Sequence, residues 1–525
     1  MWRSLASNIG ASSLAVALLG LAACSTTFTP QTCAVDTDCG DTHVCELREG
    51  APVCVSPDEA PLIIGQSAPQ SGVNQALGLG MKNGILLAFK EQNAKGGIRG
   101  RQLQLDFLDD EYDPLNAEMN AMKLVDAQPT SQAPKCINTA TPVSNGATPP
   151  VLVPVSTTAI DRGPNAVLAM LGNVGTPTAI RAAPVAIESG TLFFGAFTGS
   201  QTLLRDQTSG ACAKYIFNVR ASYYEEATAT LGYFVKNGMD PDYRNMISFD
   251  QNDTFGQAGY NGLTMAYAAL TGAVAIPGNV PDPANPIQRV RYTRNDPSTV
   301  APAVLAAENY VIQRLQATSG PLTIGIQMTD VYGAGSQFIT SLRKWQFDGQ
   351  NDAGQGSGSL ATDKATRVKF LFSNVSFVGP NSLSTSLVAA GTVPNTSPSM
   401  PYTQDVIVSN VVPNYQGDQS AVVVQYNALI AATTGATPDF TSLEGYISGR
   451  VFVGGLLAHT GPFTPDSLVD SFNNLPDLQL GIGATVGFSA DNHQYSNTVW
   501  GTRLEANGTF SNVYVYTNGG TIQFF

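Results

Sequence analysis

Three histidines and seven cysteines are the residues of this 525-residue chain with the widest chemical range. His43, His459 and His493 fall in different regions, so they are not expected to gather into a metal centre. Cys33, Cys39, Cys45 and Cys54 crowd into one stretch with the spacing C-x5-C-x5-C-x8-C, which lacks the C-x2-C pairs of most zinc folds. Asp36, Asp38 and Asp41 lie among them without the remaining ligands of a calcium loop. In an exported chain, four cysteines this close are expected to form two disulfides, with three pairings open. Cys136 and Cys212 lie apart, and we expect them to pair with each other. No G-x-S-x-G elbow occurs. Gly78, Gly80 and Gly84 lie inside a helical pattern, not at a strand-to-helix turn, so they read as helix packing and not as a dinucleotide loop. Asp109-Asp110 ends a strand pattern and reads as structural. With no catalytic constellation in view, the chain is expected to be no enzyme and to use no cofactor or metal.

The first residues explain why export is expected. Arg3 is followed by the apolar run 14–21 and then by Leu21-Ala22-Ala23-Cys24, the pattern of a bacterial lipoprotein signal. The run is shorter than the roughly 20 apolar residues of a spanning helix. Cys24 is therefore expected to carry lipid and to begin the mature chain. Ser25, rather than Asp, follows it, so an outer-membrane anchor is open as well as an inner one, with the protein facing the periplasm or the surface. The rest of the composition agrees. The chain is 43% hydrophobic and 13% charged, with 51 glycines and 32 prolines, as suits a loop-rich exported protein. Its net charge of -13 and its 27 Lys+Arg without a basic run argue against a nucleic-acid partner.

The elements that must position any site alternate. Strand-like runs at 62–65, 102–108, 167–171, 192–194, 213–217, 245–249 and 322–328 are interleaved with helical patterns at 76–93, 115–125, 176–189, 223–236, 256–270 and 336–345. That rhythm predicts βαβ units and parallel sheets. Pro-, Ser-, Thr- and Gly-rich stretches at about 127–150, 277–300, 348–366 and 390–403 read as surface insertions.

Residues 62–126 carry a more specific pattern: Ile64-Gly65, Pro69, Ser71-Gly72, Asn93, Gly96-Gly97-Ile98, Gly100-Arg101, Asp109-Asp110 and Asp113-Pro114, in that order. This resembles the start of the branched-chain amino acid (Leu/Ile/Val) type of periplasmic binding protein. The resemblance continues through LGNVGTPTAIRAAP, YIFNVRASYYEEA, MISFDQNDTFGQAG and GYISGRVFVGG. It implies a type I fold: two doubly wound α/β lobes sharing a three-strand hinge, here preceded by a small disulfide-rich module. On that basis we expect a signal at 1–23, a tether at 24–32, the module at 33–54 and a linker at 55–61. Lobe one is expected at 62–217 and 411–485, and lobe two with the hinge at 218–410 and 486–525.

The resemblance also implies a site. In the family, the turn matching Gly172–Thr176 holds the ligand carboxylate, which points to Val174, Gly175 and Thr176. The turn Ala196-Phe197-Thr198 holds the same end of the ligand, with Thr198 the foremost residue. Leu77 stands where the family has a cleft aromatic, Phe255 where it often has Tyr, and Tyr332 matches a lobe-two tyrosine. Ser376 replaces the acid that pairs a ligand ammonium group; Asp330, Glu225 or Asp253 are the substitutes in view, each otherwise a solvated loop acid. An unpaired buried ammonium is strongly disfavoured, so the expected ligand is a carboxylate or amide with an apolar or aromatic body, not a simple branched-chain amino acid. The expected partners are that small molecule, an ABC permease and the membrane through the lipid; the expected state is a monomer. The competing role is that of a ligand-sensing ectodomain or a surface-binding lipoprotein without a transporter.

Overall fold

The computed structural model describes residues 32–40, 43–48, 51–57, 61–136, 158–201, 213–274, 287–351, 360–483, 486–517 and 520–525. The lipoprotein pattern around Cys24 and residue Cys212 lie outside them. In the module, β1 (Val44–Arg48) and β2 (Ala51–Val55) form an antiparallel hairpin. Disulfides Cys33–Cys45 and Cys39–Cys54 tie it together and choose among the three pairings. The small core of the module is made of these cysteines, as expected where a chain segment is too short to bury enough apolar surface. Arg101, itself buried, reaches Glu46 of the module at 3.1 Å. The module therefore sits against the start of the following lobe.

Lobe one begins with β3 (Leu62–Ala68), α1 (Gln75–Ala94), β4 (Leu103–Asp109) and α2 (Pro114–Leu124). Asp113 caps α2 by accepting from the N–H groups of Leu115 and Asn116 at 2.8 and 3.2 Å, and Pro114 opens the helix. A two-residue pair follows, β5 (Gln128–Pro129) with β6 (Ile160–Asp161). Then come β7 (Ala169–Leu171), α3 (Thr176–Glu188), β8 (Leu192–Phe194) and β9 (Ile216–Phe217). The sheet order is β4-β3-β7-β8-β9, all parallel. Cys136 is disulfide-bonded.

Lobe two opens with α4 (Tyr223–Lys236), β10 (Met246–Gln251), α5 (Thr254–Val274), β11 (Gln288–Tyr292), α6 (Val300–Ala317), β12 (Leu322–Thr329) and α7 (Tyr332–Gln346). It continues with α8 (Leu360–Arg367), β13 (Val368–Val375), α9 (Pro380–Ala390), the pair β14 (Thr392–Val393) and β15 (Met400–Pro401), and β16 (Val406–Asn410). The chain then returns to lobe one for α10 (Ala421–Ala431), α11 (Phe440–Ala458) and α12 (Pro465–Asn473). It ends in lobe two with β17 (Val499–Leu504), β18 (Phe510–Thr517) and β19 (Thr521–Phe524). The larger sheet runs β11-β10-β12-β13-β16-β17-β18-β19, parallel as far as β16 and antiparallel beyond.

Two differences from the sequence reading stand out. Helix α7 begins at Tyr332 rather than 336, and the stretch 348–366 holds most of a short helix, α8. In both places glycine and polar residues mask a helix that tertiary packing stabilises. The helix glycines are explained by packing. A Cβ on Gly84 would stand 2.0 Å from the Ser442 carbonyl oxygen of α11, and one on Gly445 would stand 2.3 Å from that of Met81, so only glycine lets these helices meet. The chain passes between lobes at 217–222, 410–420 and 486–498. The first and third passages run side by side: Asn218 N–H donates to His493, and Tyr495 N–H to Asn218, each at 2.8 Å. No helix among the described residues is long and apolar enough to cross a membrane.

Candidate functional site

The carboxyl ends of the lobe-one strands deliver two turns that hold each other. Gly175 N–H donates to the Phe197 carbonyl at 3.1 Å, and Phe197 N–H to that of Asn173 at 2.7 Å. Gly175 precedes α3 with φ +101°, and a Cβ there would lie 2.3 Å from the ring of Tyr112. Glycine is thus required twice over, by backbone conformation and by contact. The stitching sets the Thr176 and Thr198 hydroxyls 2.6 Å apart, both fully buried, at the N-terminus of α3. Thr198 also accepts from Ser200 N–H at 3.1 Å and stands 3.5 Å from the Tyr223 hydroxyl. Hydroxyls at a helix N-terminus suit an anionic acceptor.

The opposite wall is aromatic and charged. Phe377, in the turn Ser376–Val378 after β13, has ring centroids of Phe255 at 4.7 Å, Phe197 at 5.0 Å and Tyr112 at 6.0 Å. Tyr223 packs on Phe255 at 5.7 Å. Beside these rings lies a buried ion cluster. Arg220, in the first passage between lobes, meets Glu226 of lobe two at 2.8 Å and Glu444 of lobe one at 3.2 Å. Ser376 is buried, accepts from Arg220, and donates its N–H to Glu226 at 2.7 Å. Ser409 adds a bond to Glu226 at 3.0 Å. Burial pushes the Glu226 carboxyl above its ordinary range, against the pull of Arg220. The recess bounded by Phe197, Ser376 and Glu444 leaves no room for a water molecule.

The structure brings nine of the ten residues singled out by sequence to the facing sides of the lobes, while the side chain of Ala196 packs into the lobe-one core. Val174, Gly175, Thr176, Ala196, Phe197 and Thr198 form the lobe-one turns, and Phe255 and Ser376 face them. Leu77 presses on the Ser376–Val378 turn, because its methyl stands 2.8 Å from where a Cβ of Gly379 would be. Tyr332 bridges the lobes by donating its hydroxyl to the Val73 carbonyl. Two of the three substitute acids have other duties, while among the described residues neither carboxyl oxygen of the third, Asp330, has a hydrogen-bond partner. Glu225 caps α4 and accepts from Gln494 at 3.3 Å, and Asp253 accepts from Gln251 at 2.7 Å and pairs with Arg294 at 3.3 Å. Asp330 is not a solvated loop acid: it is fully buried against Gly335, and burial pushes its carboxyl well above the ordinary range.

Tyr112, Arg220, Tyr223, Glu226, Phe377 and Glu444 were missed. Arg220, Tyr223 and Glu226 lie in a segment that resembles the family, and Phe377 follows Ser376, but none of them matches a ligand position. Tyr112 carried a faint signal. It follows Asp109-Asp110, and both Glu111 and Tyr112 adopt positive φ, 54° and 59°. Asp109 and Asp110 hold that turn by accepting from the N–H groups of Glu111 and Tyr112 at 3.0 and 2.9 Å.

With this geometry in hand, likeness to known proteins is informative. The periplasmic binding protein family matches residues 61–133 and 146–312. A possible leucine/isoleucine/valine-binding protein from Rhodopirellula baltica SH 1 superposes with a TM-score of 0.62 at 26% identity, covering 87% of this chain and 98% of that one. The family match covers somewhat under half of the chain, and the fold is that of the type I periplasmic binding proteins. Among other binding proteins of this fold, one from Thermomonospora curvata described as a fatty acid ABC transporter substrate-binding protein gives a TM-score of 0.58 at 14% identity, covering 88% and 94%. A Leu/Ile/Val-binding protein homolog from Brucella abortus (strain 2308) is 39% identical over 66 residues, 13% of this chain and 18% of that relative's length.

Proposed function

We propose that this periplasmic binding protein captures a small solute between its two lobes outside the cytoplasm and passes it to an ABC-type importer. The Thr176–Thr198 hydroxyl pair at the head of α3 carries the reading: it is fully buried and sits where the lobes meet. The ligand offers a carboxylate or amide to that turn and an apolar or aromatic body to Phe197, Phe255 and Phe377. Glu226 and Glu444 are both bonded to Arg220, and burial favours the neutral form of the Asp330 carboxyl, so no ready carboxylate awaits a ligand ammonium. Proteins of this fold are described as a possible leucine/isoleucine/valine-binding protein in one case and a fatty acid transporter substrate-binding protein in another, which is consistent with one carboxylate-holding frame and variable walls. The anchor is the lipid on Cys24, and the protein acts as a monomer.

Thermal-shift screening of carboxylates, amides and amino acids tests this. A true ligand at about 100 times its Kd adds roughly 2.7 kcal/mol to the bound form. Thr198→Ala is expected to abolish the shift while leaving the melting temperature of the free protein within a few degrees. A largest shift with leucine, isoleucine or valine would overturn the ligand class. Intact mass of the membrane-extracted protein checks the acyl groups on Cys24.

A further inference from the structure

Phe377 belongs to lobe two, yet its ring is built into the wall of lobe one. Two of its three ring neighbours, Phe197 and Tyr112, are lobe-one residues, and the ring is fully buried between them. Tyr112 in turn lies on Gly175, next to the carboxylate-type turn. The Phe377 turn is held from both ends. Ser376 is fastened to Glu226 and Arg220, and Gly379, at φ +77°, redirects the chain into α9 under the pressure of Leu77. A phenyl group is thus delivered between aromatic faces, beside the turns that carry the Thr176 and Thr198 hydroxyls.

Resting on the cleft reading above, we propose that Phe377 is a resident plug of an aryl subsite, and that the ligand is an aromatic carboxylate whose ring takes its place. The centroid separations of 4.7–6.0 Å fall in the range where aromatic rings attract through offset or tilted contact. A flat ring refills such a slot without repacking its sides, whereas a branched aliphatic side chain leaves gaps that close packing penalises. The carboxylate then reaches toward Thr176 and Thr198, whose turns also carry Phe197 and the Gly175 on which Tyr112 lies. Charge favours the same class, because an aryl carboxylate brings no ammonium to be neutralised. Plug and ligand compete, so the apparent affinity is the intrinsic affinity reduced by the fraction of molecules with Phe377 withdrawn. Ligand entry is thereby coupled to movement of the turn that also carries Ser376 of the ion cluster.

The test titrates phenylacetate, benzoate, phenylalanine and leucine into the full-length protein and into Phe377→Leu and Phe377→Ala by calorimetry. Phe377→Leu keeps apolar volume and guards against a folding failure of the alanine variant. The expected result is that the wild type prefers an aryl carboxylate to leucine, and that both variants bind it at least about tenfold more tightly because the competitor is gone. Unchanged or weaker aryl binding in folded variants overturns the plug, making Phe377 a contact or a bystander. If that happens while Thr198→Ala still weakens binding of any probe, the cleft reading stands and only the plug falls. If no probe responds to Thr198→Ala or to the Phe377 variants, both readings fall.

Discussion

The two walls that face each other across the lobes are built on different physics. The lobe-one wall is made of neighbours in sequence. Residues 172–176 and 196–198 leave adjacent parallel strands, and backbone bonds between the turns fix their hydroxyls. The lobe-two wall is assembled from distant pieces: Arg220, Phe255, Ser376, Phe377 and Ser409 come from four segments and depend on Glu444 and Tyr112 across the divide. The first wall is a preformed anion-type cradle, while the second is a packed plug whose contacts exist only when the lobes are together. If the proposed function holds, the contrast teaches that recognition chemistry belongs to the wall fixed by local turns, and specificity to the wall built from contacts across the lobes.

The sharpest way to break the comparison is at Arg220. Arg220→Met leaves Glu226 and Glu444 buried with no cation, and removing one partner of such a cluster costs about 3–5 kcal/mol. Urea denaturation is expected to show this loss, with the lobe-one turns still able to form. An effect below about 1 kcal/mol would mean the cluster is wet and the wall is not packed as described. A second test falls on lobe one. Burial raises the Asp110 carboxyl to about 7, with Ser67 and the Tyr112 N–H bonded to it and Asp109 and Asp113 nearby. Because the folded value lies above the unfolded one of 3.8, the fold keeps this proton where the unfolded chain releases it. Stability from this group is therefore full below about pH 4 and declines toward pH 7, by up to about 4 kcal/mol. Asp110→Asn is expected to flatten that slope in denaturation curves taken across the window. The smallest effect sharpens the comparison instead: Gly175→Ala must strain a φ of +101° and push against Tyr112, at about 1–3 kcal/mol. It is expected to weaken ligand capture more than it lowers the melting temperature.

Much of the frame was legible in the chain itself. Apolar runs alternating with helical periods announce parallel α/β layers, since only a strand buried on both faces tolerates a sequence such as that of β3. Thr176 and Thr198 could be named because their roles follow from local turns at strand ends. The clustered cysteines declared a disulfide module, but the choice of Cys33–Cys45 and Cys39–Cys54 needed the hairpin that sets Cys45 opposite Cys54. The missing acid at Ser376 was legible as an absence, and what stands there was not. Arg220, Glu226 and Glu444 are ordinary charged residues until three segments up to 224 positions apart converge. Phe377 is one apolar residue among many until lobe two inserts it between Phe197 and Tyr112. Local backbone chemistry is written in neighbouring residues, so the sequence by itself determined the layers, the module and the cradle. Burial, which turns a charge into a clamp and a ring into a plug, depends on contacts far apart along the chain, and only the tertiary structure decided those.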